Sequence, residues 1–214
     1  MSVIAPAILV ETLDDYRAAV QAVQPFAKRV HIDVTDGEFA PNFLLSESQL
    51  YWPTEWEVDI HAMVMRPSEH IAQILALKPS LVILHAEAQE DLLPHFKTLQ
   101  EAGIKVGVGL LKTTVPATVS AYIQAANHAM IFSGDLGKHG GVASMMQLEK
   151  IRLIKKIKAD IEIGWDGGVN LENAFTLSQG GVDVLNVGGA IASSANPADT
   201  YNQLVKEINK HGVI

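Results

Sequence analysis

The chain has 214 residues and a net charge of −8, with 48% hydrophobic and 19% charged residues, which is typical of soluble globular proteins and argues against a nucleic-acid or anionic-membrane partner. It contains no cysteine, which excludes a disulfide framework and a thiolate zinc site. Glu11 and Asp14 come too early for a signal peptide, and no run approaches the ~18 apolar residues of a membrane span, so we expect a cytoplasmic protein with no membrane partner.

Eight short runs rich in β-branched residues alternate with helix-like segments. The predicted strands are 3–9, 29–34, 57–64, 81–86, 105–111, 128–132, 161–166 and 182–187. Helical patterns occupy 13–23, 67–77, 89–102, 115–126, 144–158, 170–179 and 196–210, whereas 39–56 is mostly loop. An open doubly wound sheet gives a similar pattern, but eight strands in this length favour a single (β/α)₈ barrel domain over residues 1–214.

Polar side chains gather at the predicted strand ends, where barrels of this type carry their catalytic groups. The candidates are His31, Asp33, His61, Met63, His85, Lys112, Ser133, Asp135, Asp166 and Asn186. In "RVHIDV", alternation of apolar and polar residues directs His31 and Asp33 toward the barrel axis. The same alternation turns His61 inward on the third strand and Asp166 inward on the seventh.

Two imidazoles and two carboxylates therefore converge from three strands. Without a thiolate, this set suits one divalent ion such as Zn²⁺, Fe²⁺, Mn²⁺ or Co²⁺. For any one of these residues alone, an isolated polar group at a strand end is the better interpretation than a metal ligand. Four together favour a metal site, because unpaired charges facing a barrel interior are costly.

The other histidines are interpreted differently. His85 ends the fourth strand, and we expect a hydrogen-bonded structural histidine there. His70, His95, His128 and His211 fall at helix or rim positions, and the sequence identifies no partner for them.

Longer motifs join the strand-end residues in a fixed order. They are "IAPAIL", "HIDVTDGEFAPN", "DIHAMV", "LVILHAEA", "WDGGVNLEN" and "GGVDVLNVGGAI", and they span nearly the whole chain. The combination H-x-D-x-x-D-G-x-F-x-P-N with H-x-M-V and D-G-G-V resembles the ribulose-phosphate 3-epimerases. Either glycine pair alone would be a weak signal.

This resemblance implies a TIM barrel of the ribulose-phosphate-binding type. It implies that His31, Asp33, His61 and Asp166 hold one divalent metal ion, and that Asp33 and Asp166 are the catalytic acid–base pair at C3 of the substrate. Methionines line the cavity in this family and keep water away from the reacting atoms. Met63 matches one such position.

Glycine pairs at strand-to-helix turns are the candidate substrate- and phosphate-binding residues. They are Gly167 and Gly168 after the seventh strand, Gly188 and Gly189 after the eighth, and Gly140 and Gly141 in the loop after the sixth. Unobstructed N–H groups at a helix start hold anions, and this architecture often binds phosphate after strands seven and eight. One such loop reads equally well as a tight turn, but two adjacent loops favour phosphate.

The chain departs from the family pattern around the expected substrate. The departures are Ala7 for a serine, Thr35 for a methionine, Leu111 and Lys112 for an Asn-Pro turn, Gly189 for a serine, and the longer loop "SGDLGKHGG" at 133–141. Thr35 would bring polarity into an apolar lining. Lys112 would serve an aldolase as a Schiff-base lysine, although a solvent-facing loop lysine is the simpler interpretation. Lys138 and His139 either contact an anionic group or are solvated.

We therefore expect a C3 epimerase acting on a sugar phosphate, with ribulose 5-phosphate and xylulose 5-phosphate as the leading pair and a homo-oligomer as its assembly. Three alternatives remain open: a hexulose-6-phosphate 3-epimerase, a sugar-phosphate lyase (aldolase or decarboxylase), and a phosphosugar-binding protein without turnover. The third strand lacks a D-x-K-x-x-D run, which argues against a decarboxylase.

Overall fold

The computed structural model describes residues 2–138 and 140–210. Eight parallel strands form a closed barrel in chain order, with β8 pairing back to β1. The strands are β1 (Val3–Ile8), β2 (Arg29–Thr35), β3 (Glu57–Met63), β4 (Leu81–His85), β5 (Lys105–Leu110), β6 (His128–Phe132), β7 (Glu162–Asp166) and β8 (Val184–Val187). The predicted TIM barrel is confirmed, and every predicted strand is present within two residues of its expected bounds.

Helices follow the strands and cover the outside of the barrel. They are α1 (Leu13–Val23), α2 (Ile71–Leu77), α3 (Leu92–Glu101), α4 (Ser120–Ala125), α5 (Glu149–Ile157), α6 (Ala174–Gln179), α7 (Gly189–Ala192) and α8 (Pro197–Ile208). None of the helices in these described residues is long and apolar enough to span a membrane.

Helix starts are the main difference from the sequence pattern. The predicted segments at 67–77, 115–126 and 144–158 each begin with a short 3₁₀ turn, so their α-helical parts are shorter than expected. The four-residue α7 was not predicted. A single turn contains too few residues to show a helical period.

Strand parity separates two apolar layers. On β4, Val82 and Leu84 join the large core between strands and helices, whereas Leu81 and Ile83 join a smaller cluster with Phe132. Consecutive strand residues point to opposite faces, so the smaller cluster lies on the inner face of the barrel. The polar residues of β2, β3 and β7 follow the same alternation and lie on the inner face.

Charged side chains close the N-terminal end of the barrel. Arg29 donates to Asp59 at 2.7 Å and to both carboxylate oxygens of Glu162 at 2.9 and 2.8 Å. Burial raises the pKa of Glu162, but hydrogen bonds from Arg29 and His128 outweigh that effect and hold it far below its ordinary value. This end carries a structural ion-pair network.

The sequence identified no partner for four of the histidines, and three of them have a carboxylate partner in the structure. His70 lies 2.6 Å from Glu47, His95 lies 3.0 Å from Glu90 and His128 lies 2.7 Å from Glu162. Their partners are 5 to 34 residues away in sequence, too irregular a spacing for a local pattern to indicate. His211 lies outside the described residues.

Candidate active site

The C-terminal end of the barrel brings the four predicted metal ligands together. His31 and Asp33 come from β2, His61 from β3 and Asp166 from the last position of β7. One nitrogen or oxygen atom from each lies within 4.8 Å of the others. Asp33 and His61 face each other in the β2–β3 register, so pairing of neighbouring strands fixes half of the cluster.

Of the two imidazoles, His61 lies nearer to both carboxylates, through its Nδ1 atom. This nitrogen lies 2.7 Å from Oδ1 of Asp33 and 3.6 Å from Oδ2 of Asp166. Nε2 of His31 lies 3.3 Å from Oδ1 of Asp33 and 3.9 Å from Oδ2 of Asp166. Each imidazole thus presents one nitrogen to both carboxylates.

The ring nitrogens of His31 show that these residues fit a metal ion. Its ring is fully buried, and neither ring nitrogen has a hydrogen-bond partner among the described residues. A buried polar group without a partner is costly, whereas a metal–nitrogen bond would satisfy one of the two nitrogens. Together with a donor set of two imidazole nitrogens and two carboxylates, this fits a divalent ion.

The electrostatics of the four-residue cluster point the same way. Burial raises the pKa of Asp33, but the adjacent His31 and His61 rings outweigh it and hold that pKa far below its ordinary value. Burial raises the pKa of Asp166, and repulsion from Asp33 adds to the effect. Burial lowers the pKa of His31, yet attraction to Asp33 leaves it raised overall. A raised His31 pKa beside a lowered Asp33 pKa indicates that the buried carboxylates favour positive charge next to them, which a divalent ion would supply.

A cavity of about 250 Å³ opens above the cluster. Asp33 and Asp166 both line it, as does Met63. The predicted substrate- and phosphate-binding glycines also line it: Gly140, Gly141, Gly167, Gly168, Gly188 and Gly189. All the residues expected to contact substrate thus border one space.

Gly167 and Gly168 allow the loop after β7 to approach the loop after β6. A Cβ atom on Gly167 would lie 2.0 Å from the backbone nitrogen of Gly134, and one on Gly168 would lie 2.2 Å from that of Ala143. Both glycines also have positive φ angles, at 100° and 73°. Within the described residues, the backbone N–H groups of Gly140, Gly141 and Gly168 have no acceptor. Such groups are suited to an anion.

The departures from the family pattern divide into two groups. Ala7, Lys138 and Gly189 line the cavity, whereas Thr35 does not. The hydroxyl of Thr35 donates to the carbonyl of Asn42 and accepts from the backbone nitrogen of Leu44 at 3.3 Å. The expectation that Thr35 makes the lining polar is therefore wrong, because the loop backbone uses its hydroxyl.

The longer sixth loop is tied to the loop after β2. Nδ2 of Asn42 donates to the carbonyl of Gly137 at 2.6 Å, and a Cβ on Gly137 would lie 1.7 Å from Oδ1 of Asn42. Lys112 is 44% exposed and lies 3.7 Å from Asp135 of this loop, but it does not line the cavity. His139 lies outside the described residues.

Sequence reasoning placed His85 and Asn186 at strand ends but assigned neither to the site. His85 is fully buried and lies 2.8 Å from His61, as expected for a hydrogen-bonded histidine. Asn186 lines the cavity, and its Oδ1 has no partner among the described residues. The polar position in "VDVLNV", in register with Asp166 on β7, was the signal for Asn186.

Comparison with known proteins decides the family. The model of the "Ribulose-phosphate 3 epimerase family" matches residues 3–192. The chain belongs to the ribulose-phosphate 3-epimerase family. It is 28% identical to the ribulose-phosphate 3-epimerase of Helicobacter pylori over 200 residues, covering 89% of this chain and 91% of that one. It is 27% identical to the Bacillus subtilis enzyme of that name over 183 residues, covering 82% and 84%.

Solved structures support the fold. The 3-hexulose-6-phosphate synthase of Salmonella typhimurium superposes with a TM-score of 0.71 at 18% identity, covering 99% of this chain and 100% of that one. At this identity the likeness concerns the barrel alone. The recognition of a ribulose-phosphate 3-epimerase-like isomerase from the motifs is confirmed by the family and its curated relatives.

Proposed function

We propose that this member of the ribulose-phosphate 3-epimerase family is a metal-dependent epimerase that interconverts ribulose 5-phosphate and xylulose 5-phosphate. One observation carries the proposal: two carboxylates of a four-ligand cluster, Asp33 and Asp166, line the same cavity as the glycine turns. A site for proton transfer and a site for an anionic handle thus share one space of about 250 Å³, which suits a small sugar phosphate.

Epimerisation at C3 removes the proton from one face of the carbon and returns a proton to the other. It requires two groups that exchange protons from different directions, each contributing roughly 10²–10⁴-fold to the rate. Asp33 and Asp166 come from β2 and β7, which are not neighbours in the barrel. We assign them to the two faces of C3.

His31, Asp33, His61 and Asp166 would hold the divalent ion. When bound, it supplies positive charge that stabilises the negative charge developing on the substrate oxygens. The side chains around it exclude water from the reacting carbon, and Met63, which is 1% exposed, provides an apolar wall.

The phosphate is assigned to the glycine turns. Among the described residues, the N–H groups of Gly140, Gly141 and Gly168 are without acceptors, and Lys138 lines the same cavity. The chain's net charge is −8, so an anionic substrate needs local compensation of this kind. Within the cavity, the unpaired Oδ1 of Asn186 is suited to accept from a substrate hydroxyl.

Proton NMR in D₂O tests the proposal. Protein reconstituted with Zn²⁺, Mn²⁺, Co²⁺ or Fe²⁺ is mixed with ribulose 5-phosphate, and both deuterium entry at C3 and formation of xylulose 5-phosphate are followed. We expect exchange together with epimerisation in the wild type, and no formation of xylulose 5-phosphate by the Asp166→Asn variant, which has lost the group on one face. The matched control is Asp160→Asn, which removes an exposed carboxylate.

Other outcomes separate the alternatives. Exchange with a hexulose 6-phosphate but not with ribulose 5-phosphate would identify the longer substrate. Cleavage of a C–C bond of the sugar phosphate would identify a lyase. Phosphosugar that protects the protein against thermal unfolding without exchange would identify a binding protein, and the epimerase proposal would then be wrong.

A further inference from the structure

A chain of hydrogen bonds runs outward from the metal ligand His61. Its Nε2 lies 2.8 Å from Nε2 of His85, and Nδ1 of His85 lies 3.2 Å from the carboxylate of Glu87. Both histidines are fully buried. The sequence motifs and the proposed function give neither His85 nor Glu87 a role in metal binding.

The position of each proton follows from the partners. Glu87 also accepts the backbone N–H of Leu111 at 3.0 Å and the hydroxyl of Thr114. A carboxylate receiving those bonds acts as an acceptor, so Nδ1 of His85 carries a proton and donates it. In a neutral imidazole the other nitrogen, Nε2 of His85, is then an acceptor.

That assignment determines the state of His61. Two nitrogens 2.8 Å apart need one proton between them, and His85 does not supply it. Nε2 of His61 therefore carries the proton. Nδ1 is therefore the nitrogen available to a metal ion, because it faces both Asp33 and Asp166. A bound ion would replace the proton through which Nδ1 bonds to Asp33 at 2.7 Å.

We propose that His85 and Glu87 are positioning residues that hold His61 with Nε2 protonated and Nδ1 free to bind the metal ion. The inference rests on the metal site of the proposed function. Outer hydrogen bonds of this kind fix the tautomer and the orientation of a ligating imidazole.

Packing around His85 keeps its ring in one orientation. The rings of Phe39 and Phe132 lie 4.7 and 5.9 Å from it, centroid to centroid. A Cβ atom on Gly109 would lie 3.1 Å from the His85 ring, so the neighbouring strand leaves little room for rotation. Neither nitrogen can exchange its partner without a larger rearrangement.

The first test reads the tautomers directly in the native chain. Two-bond ¹H–¹⁵N correlation spectra of ¹⁵N-labelled, Zn²⁺-loaded protein distinguish protonated from unprotonated ring nitrogens. We expect His61 to be Zn²⁺-bound through Nδ1 and protonated at Nε2, and His85 to be protonated at Nδ1 only. Attachment of His61 through Nε2, or a proton on Nε2 of His85, would overturn the proposal.

The second test measures the dissociation constant of Zn²⁺ by competition with a chelator. His85→Leu leaves Nε2–H of His61 without an acceptor, and we expect the dissociation constant to rise by about 10–100-fold. His85→Gln should recover most of the affinity, because its amide oxygen accepts from His61 and its amide nitrogen donates to Glu87. The control is Glu90→Gln, which breaks a carboxylate–histidine pair with His95 away from the site.

The variants also separate this inference from the proposed function. Unchanged Zn²⁺ affinity in folded His85→Leu protein would overturn the positioning role and leave the epimerase intact. A wild-type chain that binds no Zn²⁺, Mn²⁺, Co²⁺ or Fe²⁺ would overturn the metal site and this inference with it. The tautomers of the native chain decide the matter even if His85→Leu does not fold.

Discussion

Asp33 and Asp166 project from strands that are not neighbours in the barrel, yet their carboxylates meet at one atom. Oδ1 of Asp33 lies 2.7 Å and Oδ2 of Asp166 lies 3.6 Å from Nδ1 of His61. Closure of the barrel through β8 and β1 creates this meeting point. The two carboxylates thus share a histidine while approaching the cavity from different directions.

The first prediction concerns these carboxylates. Asp33→Asn and Asp166→Asn should each lower kcat for epimerisation by at least about 10²-fold, because each removes one of the two proton-transfer groups. Far-UV circular dichroism should show an intact barrel in both variants. Undiminished epimerisation in Asp166→Asn would mean that a different group protonates that face.

Metal loading should stabilise the fold. His31 is a buried imidazole without a hydrogen-bond partner among the described residues, and a bound ion would coordinate one of its nitrogens. With free Zn²⁺ at about 100 times its dissociation constant, linkage predicts about 2.7 kcal/mol of added stability, read as a higher Tm. His31→Gln should lose this response, whereas His95→Gln should keep it. An equal Zn²⁺ response in the two variants would contradict the assignment of His31.

Substitutions of Lys112 and Lys138 should have different effects on catalysis. Lys112 does not line the cavity, so Lys112→Ala should retain metal-dependent epimerisation. Lys138 does line it, so Lys138→Ala should raise KM for the phosphorylated substrate. Steady-state kinetics of both variants provide the comparison. Loss of all turnover in Lys112→Ala would instead support a Schiff-base lyase.

Asn186 offers a test of substrate contact that is independent of the metal. If its unpaired Oδ1 accepts from a substrate hydroxyl, Asn186→Leu should lower kcat/KM by about 3–10-fold, the equivalent of one neutral hydrogen bond. The Tm should stay the same or rise, because a buried carbonyl without a partner is removed. A large fall in Tm with unchanged kcat/KM would assign Asn186 to folding.

The ion pairs at the closed end of the barrel should affect stability without affecting catalysis. Arg29→Met removes the partner of Asp59 and Glu162 and should cost about 2 kcal/mol, less than for a fully buried pair because the Glu162 side chain is 39% exposed. Arg17→Met, which disrupts an exposed pair with Asp14, should change stability little. The measurement is urea unfolding.

The pH dependence of this loss follows from Glu162. Its pKa in the folded protein lies below the ordinary value of 4.5, so its contribution is present above about pH 4.5 and is lost as the pH falls. The difference between the wild type and Arg29→Met should therefore be constant near neutrality and shrink in acid. A difference that grows as the pH falls would contradict this assignment.

The sequence by itself determined the barrel and which four residues form the candidate metal site. Eight β-branched runs at regular spacing specify the strands, and the period of two within a strand is enough to direct His31, Asp33 and His61 inward. Barrel architecture then gathers strand ends at one face. These motifs are short, and a short sequence pattern predicts the local geometry of the strand that contains it.

Only the tertiary structure decided which polar groups have partners. The hydroxyl of Thr35 donates to the Asn42 backbone, His85 joins His61 to Glu87, and the side-chain carbonyl of Asn186 has no hydrogen-bond partner among the described residues. These relationships depend on atoms that are brought within about 3 Å of each other by strand register and loop contact across the barrel. A sequence pattern specifies which face a side chain occupies, but the partner on the opposing element is determined by packing.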